Sequence, residues 1–187
     1  MSDFILICLI IAAFFLIIII YYNTFLLRRN DVKKAFSSLD TELKKRFDLI
    51  PNLTAAVKKY MNHESSILIQ IAKIRSQFMQ PDVSREIKMQ CDSQLSHLCR
   101  QLIAQVESNP NLKANENMMH LQRTLNETEE QISAMRRTYN AAVTEYNNCI
   151  QLFPNCLFAM AMGFKTEPLF EATVLERENV DVGRLFE

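Results

Sequence analysis

The apolar positions of this chain follow two rules in turn. From Phe4 to Ile20 no side chain is charged or strongly polar, and the run continues through Tyr21 and Tyr22 to a first charge at Arg28. A helix needs about 20 residues to cross the hydrocarbon core of a bilayer. Fourteen residues between Phe4 and Ile20 are Leu, Ile or Phe. At roughly 0.3 to 0.6 kcal/mol each, their insertion into lipid is favourable by about 4 to 8 kcal/mol, an upper bound because end positions count less. The run is apolar on every side, which suits lipid better than a protein core. A cleaved signal would carry a basic start and a small-residue cleavage site, whereas this chain begins Met-Ser-Asp and places Ala12-Ala13 mid-run. A lipoprotein signal would place small residues before a cysteine, but Cys8 follows Leu6-Ile7.

Beyond Asn30 the rule changes to apolar residues three and four apart. Val32, Phe36, Leu39, Leu43, Arg46, Ile50, Leu53, Val57, Tyr60, Glu64, Ile67, Ile71, Ile74 and Phe78 make one seam, apolar except at Arg46 and Glu64. Such a seam belongs to helices packed side by side. Pro51 falls inside it, and a mid-helix proline removes a hydrogen bond and bends the axis. Because the seam keeps its phase across Pro51, the pattern predicts one bent helix ending at Gln80-Pro81-Asp82, with a break into two helices as the alternative. A second helix is predicted from Ser84 to Glu107, burying Ile87, Cys91, Leu95, Leu98, Leu102 and Val106, with Ser108-Asn109-Pro110-Asn111 as its stop. A third follows Met118, Leu121, Leu125, Thr128, Ile132, Met135, Tyr139, Ala142, Tyr146, Cys149 and Phe153, and Pro154 ends it. A short helix after Asn155, capped by Gly163, either closes the bundle or forms a membrane-surface or partner-binding patch.

Short links make sequence neighbours antiparallel. The expected fold is therefore all-α: a single N-terminal transmembrane helix, then an up-and-down antiparallel bundle of three long helices plus a short C-terminal one, in the order up, down, up. Residues 1–3 form a flank, 4–27 the span and juxtamembrane segment, 28–165 the bundle and 166–187 a polar tail. Helix lengths raise a conflict. At 1.5 Å per residue, the first helix beyond the membrane would be about 70 Å, the second about 36 Å and the third about 60 Å. Either the chain folds back near Pro51, or one end of the third helix lacks an intrachain partner and points to self-association.

Charge sets the expected orientation and narrows the expected partners. Arg28, Arg29, Lys33 and Lys34 follow the span and Asp3 alone precedes it, so the positive-inside rule places the bundle in the cytoplasm and the N-terminus outside. Tyr21 and Tyr22, with Arg28 and Arg29, occupy the expected membrane interface. The 21 basic and 21 acidic residues balance, and no long basic block appears, which argues against nucleic-acid binding. Two glycines, Gly163 and Gly183, are too few for a phosphate-cradling loop. The five cysteines include no CxxC pair, which favours free thiols over a disulfide framework.

Candidate chemistry is sparse. His63-Glu64-Ser65-Ser66-Ile67 begins like a zinc-protease motif but has Ile67 where the second histidine must stand. Cys91, His97 and Cys99 lack a fourth ligand nearby and read as part of a packed helix. His120 stands alone and reads as solvated. Neither a metal nor a cofactor is expected, nor a catalytic site. Arg46 and Glu64 carry more information: two charges in an apolar seam, 18 residues apart and so about 27 Å along one helix. Each requires a partner from another helix, because an unpaired buried charge costs several kcal/mol. Glu129, Arg136 and Arg75 are the candidate partners. The expectation is a structural ionic network of Arg46, Glu64, Glu129 and Arg136 that fixes helix register; in the alternative, bending at Pro51 turns Arg46 to solvent. Asp48, Pro51 and Asn52 form a candidate kink or hinge, where proline frees backbone carbonyls.

Several motifs carry a family resemblance. Tyr22-Asn23 follows the span; then come Asp40-x-x-Leu43-Lys44-x-Arg46-Phe47-Asp48-Leu49-Ile50-Pro51-Asn52-Leu53, His63-Glu64 and Arg75. Asn111-Leu112-Lys113-Ala114-Asn115-Glu116-Asn117, Thr128-Glu129, Arg136-x-x-Tyr139-Asn140, Tyr146-Asn147, Phe153-Pro154-Asn155 and Phe170-Glu171 complete the set. Together they resemble the LemA family over nearly the whole chain. Cys156 and the methionine-rich stretch beside it look particular to this sequence. The resemblance implies a bacterial membrane protein with a helical bundle and brings no assigned enzymatic activity. The functional expectation is a non-catalytic interaction or scaffolding module anchored in the bacterial inner membrane, partnered by the lipid bilayer and by further copies of itself or another membrane protein. The alternative is a regulatory subunit or sensor for a membrane-associated enzyme such as a protease.

Overall fold

The computed structural model describes residues 1–58, 66–107 and 116–170. Five helices and no strand occur among the described residues: α1 (Ser2–Lys58), α2 (Ser66–Phe78), α3 (Arg85–Glu107), α4 (Glu116–Gln151) and α5 (Asn155–Ala161). Tyr60, His63, Glu64, the turn 108–115 and the tail 171–187 lie outside them.

α1 is continuous through Pro51. The expected break or bend there is not where the chain turns. The rings of Phe47 and Phe78 stack with centroids 4.0 Å apart, whereas 31 residues of one helix would separate them by about 46 Å. The chain therefore reverses between Lys58 and Ser66, and α2 returns alongside α1. Proline at position 51 costs α1 one hydrogen bond, and the helix continues with Leu43, Phe47, Ile50, Leu53 and Val57 buried on either side of it.

This extra reversal changes the expected order of up, down, up to up, down, up, down. α4 accordingly runs antiparallel to α1. Phe36 meets Tyr139 with ring centroids 5.7 Å apart, and farther toward the N-terminus of α1 Arg28 meets Glu145 at 2.8 Å. The length conflict disappears because the segment after Lys58 no longer prolongs the first helix.

The chain falls into two units. One comprises Met1–Asp40 and Ser133–Leu169; the other comprises Thr41–Ile132 and, of the remaining described residues, Phe170. In the first, Phe25, Val32 and Leu39 of α1 are buried with Tyr139, Val143, Tyr146 and Ile150 of α4. Phe153, expected at the end of the α4 seam, is exposed instead. The strict alternation of three and four is a 3.5-residue repeat, and a straight helix drifts about 20° per heptad from it. By the end of α4 the buried stripe has moved from Ala142 and Cys149 to Val143 and Ile150.

In the second unit Leu43, Phe47, Ile50, Leu53 and Val57 of α1 are buried with Ile71, Ile74 and Phe78 of α2, Cys91, Leu95, Leu98 and Leu102 of α3, and Met118, Leu121, Leu125 and Ile132 of α4. Ile87, expected in the core, is exposed. It lies in the first turn of α3, and Lys88 rather than Ile87 reaches over the Phe78 ring, 5.6 Å from its centroid. Ser84 caps this helix by accepting a hydrogen bond from the Ile87 N–H at 3.3 Å, the usual geometry for a serine N-cap.

α5 ends as expected at Gly163. The Gly163 N–H donates to Met160 O at 3.2 Å and the Phe164 N–H to Ala159 O at 3.0 Å, the two bonds of a Schellman cap. Gly163 has φ of +74°, a left-handed conformation that a side chain would strain.

Candidate functional site

In the second unit the charged interruption of the seam is a buried cluster. Arg46 on α1 and Asp92 and Ser96 on α3 are its buried polar residues, while the hydroxyl of Thr128, also buried, donates to Thr124 O and Leu125 O of its own helix. Arg46 Nη1 donates to Asp92 Oδ1 at 3.1 Å and to Ser96 Oγ at 2.8 Å. It also forms an ion pair with Glu129 Oε2 at 2.5 Å, where the carboxylate reaches the rim of the core. One guanidinium thus ties α1 to α3 and α4. Arginine suits this position because its planar fork presents several donors at once. Arg46 is buried and does not turn to solvent at Pro51.

Three of the four residues expected to form the network are among the described ones. Arg46 and Glu129 come together; Glu64 lies outside the described residues; Arg136 belongs to the first unit and is half-buried there. Sequence reasoning missed Asp92 and Ser96. The signal for them was their place on α3: Asp92 sits three residues before Leu95 and seven before Cys99, on the apolar stripe, and Ser96 follows one turn later.

The proline segment has a second polar tie. Within α1 the carbonyl of Phe47 would accept from the N–H of residue 51, and Pro51 has none. Arg75 of α2 supplies the donor, its Nε reaching Phe47 O at 3.2 Å. Asp48, Pro51 and Asn52 are all exposed on α1.

The first unit is laced by an extended return segment. Tyr139 Oη donates to Pro168 O at 3.0 Å and Tyr146 Oη to Lys165 O at 2.8 Å. Seven helical residues span about 10.5 Å and three extended ones about 10 Å, so the two tyrosines match carbonyls three apart. Asn147 Nδ2 donates to Glu167 O, and the Glu167 N–H donates to Asn147 Oδ1, both at 2.9 Å. The described start of the expected polar tail, together with Lys165, therefore packs on α4 through these bonds. At the base of the unit Tyr21 stacks on Phe158 with centroids 4.5 Å apart, and Tyr22 meets Phe164 edge-on at 5.9 Å. Arg28 pairs with Glu145 at 2.8 Å, and Arg29 lies 4.0 Å from Glu167.

The thiols are unpaired. Burial pushes the Cys99 thiol above its usual range, against the opposing pull of Arg46. Burial, and then Asp92, raise that of Cys91. Among the described residues no group of three or more His, Cys, Asp or Glu side chains is placed to hold a metal ion.

α1 is also long and apolar enough to cross a membrane, and its apolar window is not buried among the described residues. This fits membrane anchoring.

The LemA family model matches residues 35–183. The chain is similar to the protein LemA of Metamycoplasma hominis, at 27% identity over 158 residues, covering 84% of this chain and 72% of that protein. The matched region contains Arg46, Pro51, Arg75, Asp92, Glu129, Tyr139 and Tyr146, the residues that tie the helices together, and the chain belongs to the LemA family.

Proposed function

We propose that the protein is a non-catalytic, membrane-anchored interaction module that presents its helical bundle to other copies of itself or to a membrane-protein partner. One observation carries this reading: α1 runs without interruption from an uncovered apolar window into helix faces buried in the bundle. A span built this way holds the bundle at the bilayer. The polar clusters support a structural reading of the charged residues, since Arg46 is engaged by Asp92, Ser96 and Glu129. The exposed face of α1 at Asp48, Pro51 and Asn52 is available as a dock or hinge. The positive flank of Arg28, Arg29, Lys33 and Lys34 favours a cytoplasmic bundle in the bacterial inner membrane.

Cross-linking in intact membranes followed by mass spectrometry tests the reading. Self-links, or links to a non-enzymatic membrane protein, are expected. Links confined to one membrane enzyme, such as a protease, would replace it with a regulatory-subunit function. An externally added protease that digests the bundle in sealed cells would reverse the orientation.

A further inference from the structure

α5 and the end of α4 leave an apolar surface uncovered. Leu152 is 63% exposed, Phe153 81%, Leu157 54% and Met160 75%. Four large apolar side chains within nine residues are more than scattered surface hydrophobics. Their position along the membrane axis follows from two independent registers within the first unit.

The first register is the α1–α4 pair. Phe36 lies against Tyr139 and the helices are antiparallel. Gln151, the last residue of α4, is 12 residues beyond Tyr139, about 18 Å along the helix, and so stands level with the residue 12 before Phe36, which is Thr24. Leu152 and Phe153 follow it directly in the link to α5. The second register is direct contact: Phe158 stacks on Tyr21, and Phe164 packs against Tyr22 and Phe25. A hydrocarbon core of about 30 Å beginning at Phe4 takes up about 20 residues and ends at Asn23. Both registers thus place the uncovered patch at the bilayer boundary. Phe25, one turn above, is the first fully buried residue of α1.

We infer that α5 and the end of α4 form a second membrane contact, lying in the interface with Leu152, Phe153, Leu157 and Met160 directed into the headgroup and upper acyl region. The occupant of the patch is lipid because the surface is continuous with the span that α1 makes. Short amphipathic segments hold such positions by burying an apolar face at the boundary. The contact would limit how far α1 slides or tilts, since Tyr21 and Tyr22 are fastened to the segment that floats there. This inference rests on α1 being a membrane span.

The chain contains no tryptophan, so a single introduced one reports its own surroundings. Full-length Phe153→Trp, Met160→Trp, Phe14→Trp and Thr138→Trp are reconstituted in phosphatidylcholine vesicles, each checked for helix content by circular dichroism. Brominated lipid reports on lipid and iodide reports on water. Phe14→Trp should lose emission to lipid brominated near the bilayer centre, and Thr138→Trp to iodide. Phe153→Trp and Met160→Trp should lose emission to lipid brominated near the headgroup and resist iodide. If Phe14→Trp behaves as expected while the other two are quenched by iodide like Thr138→Trp, the second contact is overturned and the anchor stands. Protection from both quenchers overturns it as well, since protein then covers the patch. If Phe14→Trp is not quenched by lipid, the anchoring reading itself fails.

Discussion

Arg75 donates through Nε to the carbonyl of Phe47 at 3.2 Å, filling the one α1 acceptor that Pro51 cannot serve. The same two segments meet a second time where Phe47 stacks on Phe78. A proline that would ordinarily weaken a helix here creates a docking point for the helix that folds back beside it. Arg75→Met should destabilise the bundle by roughly 1 to 2 kcal/mol, the worth of a hydrogen bond with a charged donor at a half-buried site. In a Pro51→Ala background the N–H of residue 51 serves Phe47 itself, and the same Arg75→Met change should cost markedly less. Urea unfolding of the four variants measures the difference; strictly additive effects would sever the link between the two residues.

Removing Arg46 takes the ion-pair partner from Asp92, which is fully buried. Arg46→Ala should cost roughly 3 to 5 kcal/mol because it breaks a buried ion pair by removing one of its two charges. Arg46→Met combined with Asp92→Leu should recover much of that loss, since paired charges replaced by apolar groups are often near neutral. A change below about 0.5 kcal/mol for Arg46→Ala, the size expected of an ordinary surface substitution, would remove the cluster's structural role.

Asn147 binds the backbone of Glu167 in both directions. Asn147→Ala should release the return segment more than Tyr146→Phe, which removes a single bond worth about 0.5 to 1.5 kcal/mol. Hydrogen exchange read over residues 164–168 should rise in that order. Equal exchange in the two variants would show that these bonds do not hold the segment.

Alkaline pH should loosen the second unit through its thiols. Cys91 and Cys99 are raised in the folded chain, chiefly by burial, so the folded state holds its thiol protons to higher pH than the unfolded state does. Their contribution is intact below the ordinary thiol range and is lost as pH rises through and beyond it. Thermal unfolding in detergent should show an alkaline decline that is shallower in Cys99→Ala. An unchanged slope would place its source elsewhere.

Some of the site could be read from residue order alone. The phase of the α1 seam put Arg46 inside, and a buried guanidinium has to meet a carboxylate, which pointed to Glu129. Asp92 escaped because one acidic residue on the stripe of an otherwise amphipathic helix does not say which helix holds its partner. Ser96 gave even less warning, since a serine in a helix is unremarkable by itself. In the first unit, Tyr139 and Tyr146 looked like core residues by spacing, and nothing in that spacing revealed that their hydroxyls would meet carbonyls of the return segment.

Sequence by itself determined the helical class, the apolar span, the faces that α1, α3 and most of α4 bury, and the Gly163 stop. Each depends on neighbours within a turn or two of the chain, where periodicity and capping act. Tertiary structure alone decided that the chain reverses after Lys58 rather than at Pro51, that α4 runs against α1, that Asp92 meets Arg46, and that Phe158 stands beside Tyr21. Periodicity says which side of a helix avoids water but not which helix covers it, so partners far apart in sequence were settled only when the rods packed.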